Sequence, residues 1–148
     1  MYTRPLGDAK PHRSSHMLFF EPGEEAIDGL AAFARDNDIE IAEFSAIGGF
    51  EGASLGFYNQ ETGGFDEIPY HEDQVEVLSM TGDITKEEGE EGPHVHAHVV
   101  LGRRDGTTLG GHLLKGMISP ILIVTLNELA QAPHGHHHGH HQPPDQHA

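Results

Sequence analysis

Four histidines in one stretch of the chain are placed to act together. His94, His96 and His98 alternate with Val95, Ala97 and Val99. In an extended strand alternate side chains share a face, so this spacing puts three imidazoles on one side and an apolar row on the other. A fourth histidine, His112, follows Arg104-Asp105-Gly106 and the pair Gly110-Gly111. Asp-Gly ahead of a fresh strand-like run signals a hairpin, and the loop length fixes the register. A three-residue loop, Arg104 to Gly106 with Gly106 in the left-handed position, sets His98 directly opposite His112, where paired Cβ atoms lie roughly 5 Å apart. A two- or four-residue loop sends His112 to the other face unless a bulge at Gly110-Gly111 restores it. We take the three-residue loop, which makes His96, His98 and His112 a three-nitrogen metal site. Neutral imidazoles suit zinc, copper or nickel, and three protein ligands leave a fourth position for water, a carboxylate or a small ligand.

These strands must be held by a domain of modest size. At 148 residues and 36% hydrophobic content, the chain is expected to form one domain. Its formal charge of −16, from 24 acids against 8 Lys and Arg, disfavours nucleic acid or an anionic membrane surface as a direct partner. With no cysteine, a transition-metal site has only His, Asp and Glu to draw on. Met1 to Pro11 carries no apolar core of signal-peptide length, and no stretch approaches the ~20 apolar residues of a membrane span. The expected location is cytoplasmic, with no membrane contact.

Along the chain, residues 1–13 hold Pro5, Gly7, Pro11 and three of the eight basic residues, which predicts a loosely ordered arm. The domain proper is expected over 14–131. His16 to Glu21 reads as a first strand, ended by Pro22-Gly23. Ile27, Leu30, Ala31 and Ala34 recur at helical spacing between Glu24 and Asn37, with Glu24 and Glu25 at the positive end of the helix dipole. Ile39 to Phe50 reads as a strand closing on Gly48-Gly49. Ala53 to Tyr58 reads as another, Phe65 to Tyr70 as a weak edge strand, and Val75 to Asp83 as a stronger one. Lys86 to Gly92 is an acidic connection into the histidine strand. Pro120 to Leu126 is nearly all apolar, as expected of a strand buried on both faces or at a subunit contact, and argues for oligomerisation.

From Ala132 the composition changes. Seven of the fourteen histidines lie in 132–148, including His134, His136, His137, His138, His140 and His141, interrupted by Gly135 and Gly139. Such a segment cannot build a core, and a disordered, metal-buffering tail is expected. The glycine interruptions and the continuation into Gln142-Pro143-Pro144-Asp145 set it apart from an affinity tag.

A metal-dependent enzyme acting on a small-molecule substrate is a further reading, with Glu76 or His94 as candidate general base. Glu76 equally suits solvent exposure or a structural hydrogen bond. No nucleophile elbow, phosphate-binding glycine loop or nucleotide motif names a reaction.

The stretch His96-Ala97-His98, Asp105-Gly106 and Gly110-Gly111-His112-Leu113 resembles the plant-and-prokaryote-conserved (PPC) domain family in its stand-alone prokaryotic type. Val75 to Ile84, Pro22-Gly23-Glu24 and Ile47-Gly48-Gly49 fit the same pattern, so the resemblance covers about residues 14 to 130. It implies an α/β fold of the α+β type: a bent, largely antiparallel sheet of about seven strands with one main helix packed on it, assembled as a homotrimer. The family's three histidines map onto His96, His98 and His112, associated in prokaryotic members with a bound metal, zinc foremost. Turn register and family spacing thus select the same three residues. His94 falls one step outside the motif, as a fourth ligand, a group supporting the ligands, or a solvent-facing residue. In plants the domain accompanies AT-hook segments, so the resemblance also brings an association with DNA. This chain has no Arg-Gly-Arg-Pro hook, and Arg103-Arg104 at the expected hairpin tip is the clustered basic pair of the motif region.

Overall fold

A computed structural model describes Met1 and residues 12–68 and 74–129. Six strands and one helix follow in the order β1 (His12–Phe20), α1 (Ala26–Asp36), β2 (Ile41–Asn59), β3 (Gly64–Ile68), β4 (Val75–Thr85), β5 (His94–Gly102) and β6 (Thr108–Leu129). β1 reaches two residues into the segment expected as an arm. The histidine-rich tail and Pro69-Tyr70, the end of the expected edge strand, lie outside the described residues.

Among the described residues the strand count is six, against the expected seven or so. Ile39–Phe50 and Ala53–Tyr58 are one continuous 19-residue β2, and the histidine-bearing return strand and Pro120–Leu126 are one 22-residue β6. Glycine and proline mark register shifts here rather than strand ends: the β2–β6 ladder slips between Gly48 and Phe50, Phe50 and Gly52, and Ser54 and Leu55. A bulge bends a strand and strengthens its twist without breaking it, and proline is tolerated in a sheet at such a point.

Every pairing is antiparallel, in the order β1-β6-β5-β4-β2-β3, and an additional pairing of β6 with β2 folds the sheet back on itself. The core lies inside this bent sheet, where Phe50, Leu55, Met80, Ile84, Leu101, Ile118 and Leu122 are buried side by side. Leu30 and Ala34 of α1 join them. The helix starts one turn-fraction later than Glu24 because Glu25 is its N-cap: the carboxylate accepts from the backbone N–H of Ile27 at 2.7 Å and of Asp28 at 3.2 Å. The same carboxylate also accepts from Gly116 N–H, and Glu24 O accepts from Ile118 N–H, which pins the helix start to the middle of β6.

Among the described residues, no helix is long and apolar enough to cross a membrane.

Candidate metal centre

The histidine strand obeys the period of two. Ala97, Val99 and Leu101 are buried, and His94, His96 and His98 stand on the opposite, outward face. The return hairpin is the three-residue form: Arg103 N–H donates to Thr107 O at 2.8 Å, Gly106 N–H to Arg103 O at 3.0 Å, and Gly106 takes φ +85°, a conformation open to glycine. Asp105 secures the turn by accepting from Thr107 N–H at 3.0 Å and Thr107 Oγ1 at 2.6 Å. These bonds hold the Asp105 carboxyl below its usual pKa. With that loop length, His98 pairs directly with His112.

His96, His98 and His112 come together. Each offers a nitrogen, and the three nitrogens lie within 4.8 Å of one another. Ring centroids are 4.9 Å apart for His96 and His98, 5.2 Å for His96 and His112, and 5.7 Å for His98 and His112. Tetrahedral zinc with Zn–N near 2.0–2.1 Å wants donor nitrogens about 3.3 Å apart, so small ring rotations close the set onto one ion. The residue chemistry and the geometry both fit a divalent transition metal.

Two residues that the sequence did not single out support this trio. Asp83 on β4 pairs with His96, and its Oδ2 lies 3.4 Å from His96 Nδ1. A carboxylate on that side favours the tautomer with its proton on Nδ1, in which Nε2 is the nitrogen with a free lone pair. Phe65 on β3 stacks on His112 with centroids 4.2 Å apart and planes at 26°. The stacking is possible because Gly56, directly opposite His112 on β2, has no side chain: a Cβ there would meet Phe65 Cβ at 3.1 Å. Burial, followed by the charges of His96, His98 and His94, lowers the His112 pKa and keeps the ring in the neutral form that metals require.

The other candidates stand apart. His94 shares the strand face but lies opposite Thr85, exposed and outside the group of converging nitrogens. Glu76 is exposed opposite Gly102, four residues along β5 from His98, roughly 13 Å at strand rise. The tail histidines His134, His136, His137, His138, His140 and His141 lie outside the described residues.

The model of the Plants and Prokaryotes Conserved (PCC) domain matches residues 8–130. The chain belongs to this family. A metal-containing protein from Archaeoglobus fulgidus has the same fold as this PPC domain, with a TM-score of 0.77 and 25% identity over 89% of this chain and 88% of that one. A candidate DNA-binding protein from Ralstonia eutropha superposes with a TM-score of 0.70 at 31% identity, over 78% of each chain. The Arabidopsis thaliana AT-hook motif nuclear-localized protein 14 is 33% identical over 97 residues, which are 65% of this chain but 22% of the plant protein. The PPC domain here thus spans under a quarter of that relative's length.

Proposed function

We propose that this PPC domain is a metal-binding homotrimer in which His96, His98 and His112 hold a zinc-class divalent ion, nickel and copper being the chemical alternatives. The observation that carries this reading is the convergence of three imidazole nitrogens within 4.8 Å from two directly paired strands. The similarity to the metal-containing Archaeoglobus protein supports it. A bound ion of this class supplies Lewis acidity at its fourth position, where a small ligand would be polarised. Asp83 orients His96, and Phe65 holds the His112 ring in place.

Self-association is supported by an apolar row on the outward face. Phe19 pairs with Ile123, and Ile123 with Ile47; Ile47 faces the Leu78–Ser79 bulge of β4, and Ser79 pairs with Val100. Phe19 is 59% exposed, Ile47 60%, Leu78 49% and Val100 42%. Four strand spacings make this row about 19 Å long, and an apolar patch of that extent on a soluble domain marks a contact surface. The threefold stoichiometry rests on the family.

The test is elemental analysis of protein purified without nickel, with the tail histidines replaced by glutamine, together with its mass in solution. One transition metal per chain and about three times the 16.1 kDa chain mass are expected. Metal-free protein that also fails to take up added zinc would remove the reading. DNA association is the second reading, favoured by the similarity to the Ralstonia protein and opposed by the charge of −16. A gel shift that survives moderate salt with sequence preference would establish it; contact that vanishes with salt is non-specific.

A further inference from the structure

We propose that the outward face beside His112 is a binding subsite for a small aromatic carboxylate, with Tyr58, Phe65 and Leu114 receiving the ring and Lys115 drawing in the carboxylate that takes the ion's fourth position. This rests on the metal centre proposed above and names the class of ligand that centre takes.

The cation is placed by an irregularity in β6. Strict alternation from His112 turns Leu114 outward and Lys115 toward the core. Instead Leu113 is buried, Leu114 and Lys115 are both exposed, and a Cβ at Gly116 would meet the buried ring of Phe50. Two successive side chains therefore stand on the histidine face. The ladder shows why: Leu55 pairs with Leu113 and Ser54 with Lys115, which leaves Leu114 as the extra residue of a bulge. Such a bulge re-aims a side chain. Here it sets Lys115 opposite Ser54 while His112 is opposite Gly56, two β2 residues or about 7 Å away at strand rise. Lys115 forms no ion pair among the described residues. Glu67, also opposite Gly56, accepts from Ser54 Oγ at 3.0 Å. In a chain of charge −16, a lysine without a carboxylate partner beside the centre favours an anion there.

The apolar side is built over Gly56, which is buried because Phe65 and Leu114 close over it: a Cβ there would meet Phe65 Cβ at 3.1 Å and Leu114 Cδ1 at 3.2 Å. Tyr58 meets Phe65 edge-on with centroids 5.5 Å apart, and Phe65 in turn stacks on His112. Tyr58, Phe65 and Leu114 are nevertheless exposed and take no part in the core. Apolar surface next to a few convergent polar groups is the make-up of a small-molecule site. An aromatic guest gains offset-stacked or edge-on contacts with the two rings. Its carboxylate supplies an oxygen donor to the ion and accepts a charge-assisted hydrogen bond from Lys115.

The test titrates benzoate and acetate into the cobalt(II) form, whose visible absorption reports the geometry and ligands of the ion. Full-length protein with the tail histidines replaced by glutamine is used, at constant ionic strength. Both carboxylates are expected to shift the cobalt band, benzoate with an affinity about tenfold or more above that of acetate. Tyr58→Ser, at a residue that touches no metal ligand, should cut that preference to about threefold or less while acetate binding stays the same. Lys115→Gln should weaken both carboxylates about fivefold and leave the carboxylate-free cobalt spectrum unchanged. Equal affinity for benzoate and acetate overturns the aromatic subsite and leaves the centre standing. Undiminished carboxylate binding in Lys115→Gln overturns the lysine's role. A Tyr58→Ser protein that loses mass in solution but keeps the benzoate preference marks the rings as a subunit contact and overturns the subsite. Protein that forms no tetrahedral cobalt site overturns the centre and the subsite together.

Discussion

Replacing His98 by alanine separates a metal centre from a mere row of polar side chains. His98 is exposed, so its loss changes folding stability by no more than about 0.5 kcal/mol, as for ordinary surface positions. Its effect on metal is far larger. A four-ligand zinc site contributes roughly 10–16 kcal/mol of binding, about 2.5–4 kcal/mol per ligand. At about 1.4 kcal/mol per tenfold, His98→Ala should weaken zinc binding at least ~50-fold. What remains is His96 stacked with His112 at a centroid separation of 5.2 Å, two donors where the ion prefers four. The assay is calorimetric zinc titration in the background lacking tail histidines, so that the tail cannot mask the loss, with thermal unfolding of the metal-free variant as the fold control. A dissociation constant within threefold of the parent, at unchanged stoichiometry and stability, would refute the assignment of His98 as a ligand.

Asp83→Asn keeps the shape beside His96 Nδ1 but removes the charge, and zinc affinity should fall about tenfold or more in the same titration. Gly106→Ala forces a side chain into φ +85°, so denaturant unfolding should show a loss of roughly 1–2 kcal/mol. Because the folded-state pKa of His112 lies below its ordinary value of 6.5, its contribution to stability is fully present above that value and is lost as pH falls through the folded pKa. Metal-free protein should therefore unfold at lower denaturant at pH 5 than at pH 7.5, and His112→Gln should flatten that dependence. Ile47→Glu places a charge in the middle of the exposed apolar row, and light scattering should show the assembly shifting toward the single chain.

The trio of histidines was legible in the sequence because everything that sets it is local. Alternation along β5 needs only the period of a strand, and the opposition of His98 and His112 needs only a short hairpin whose Asp105-Gly106 signal fixes its length. The helix was legible for the same reason, down to the acids at its start, one of which, Glu25, is the cap. Asp83 was not. It meets His96 through the β4–β5 pairing, and the eight residues 86–93 that join those strands carry no turn signal that sets a register. Phe65 comes from a strand paired to β2, and it reaches His112 over the gap at Gly56. The continuity of β2 and β6 was hidden too. Gly48-Gly49 and Pro120 read locally as strand ends, and only the long-range β2–β6 pairing turns those breakers into bulges within one bent strand. Local spacing decided which histidines converge. Pairings between segments tens of residues apart decided what packs beside those histidines, Asp83 next to His96 and Phe65 against His112.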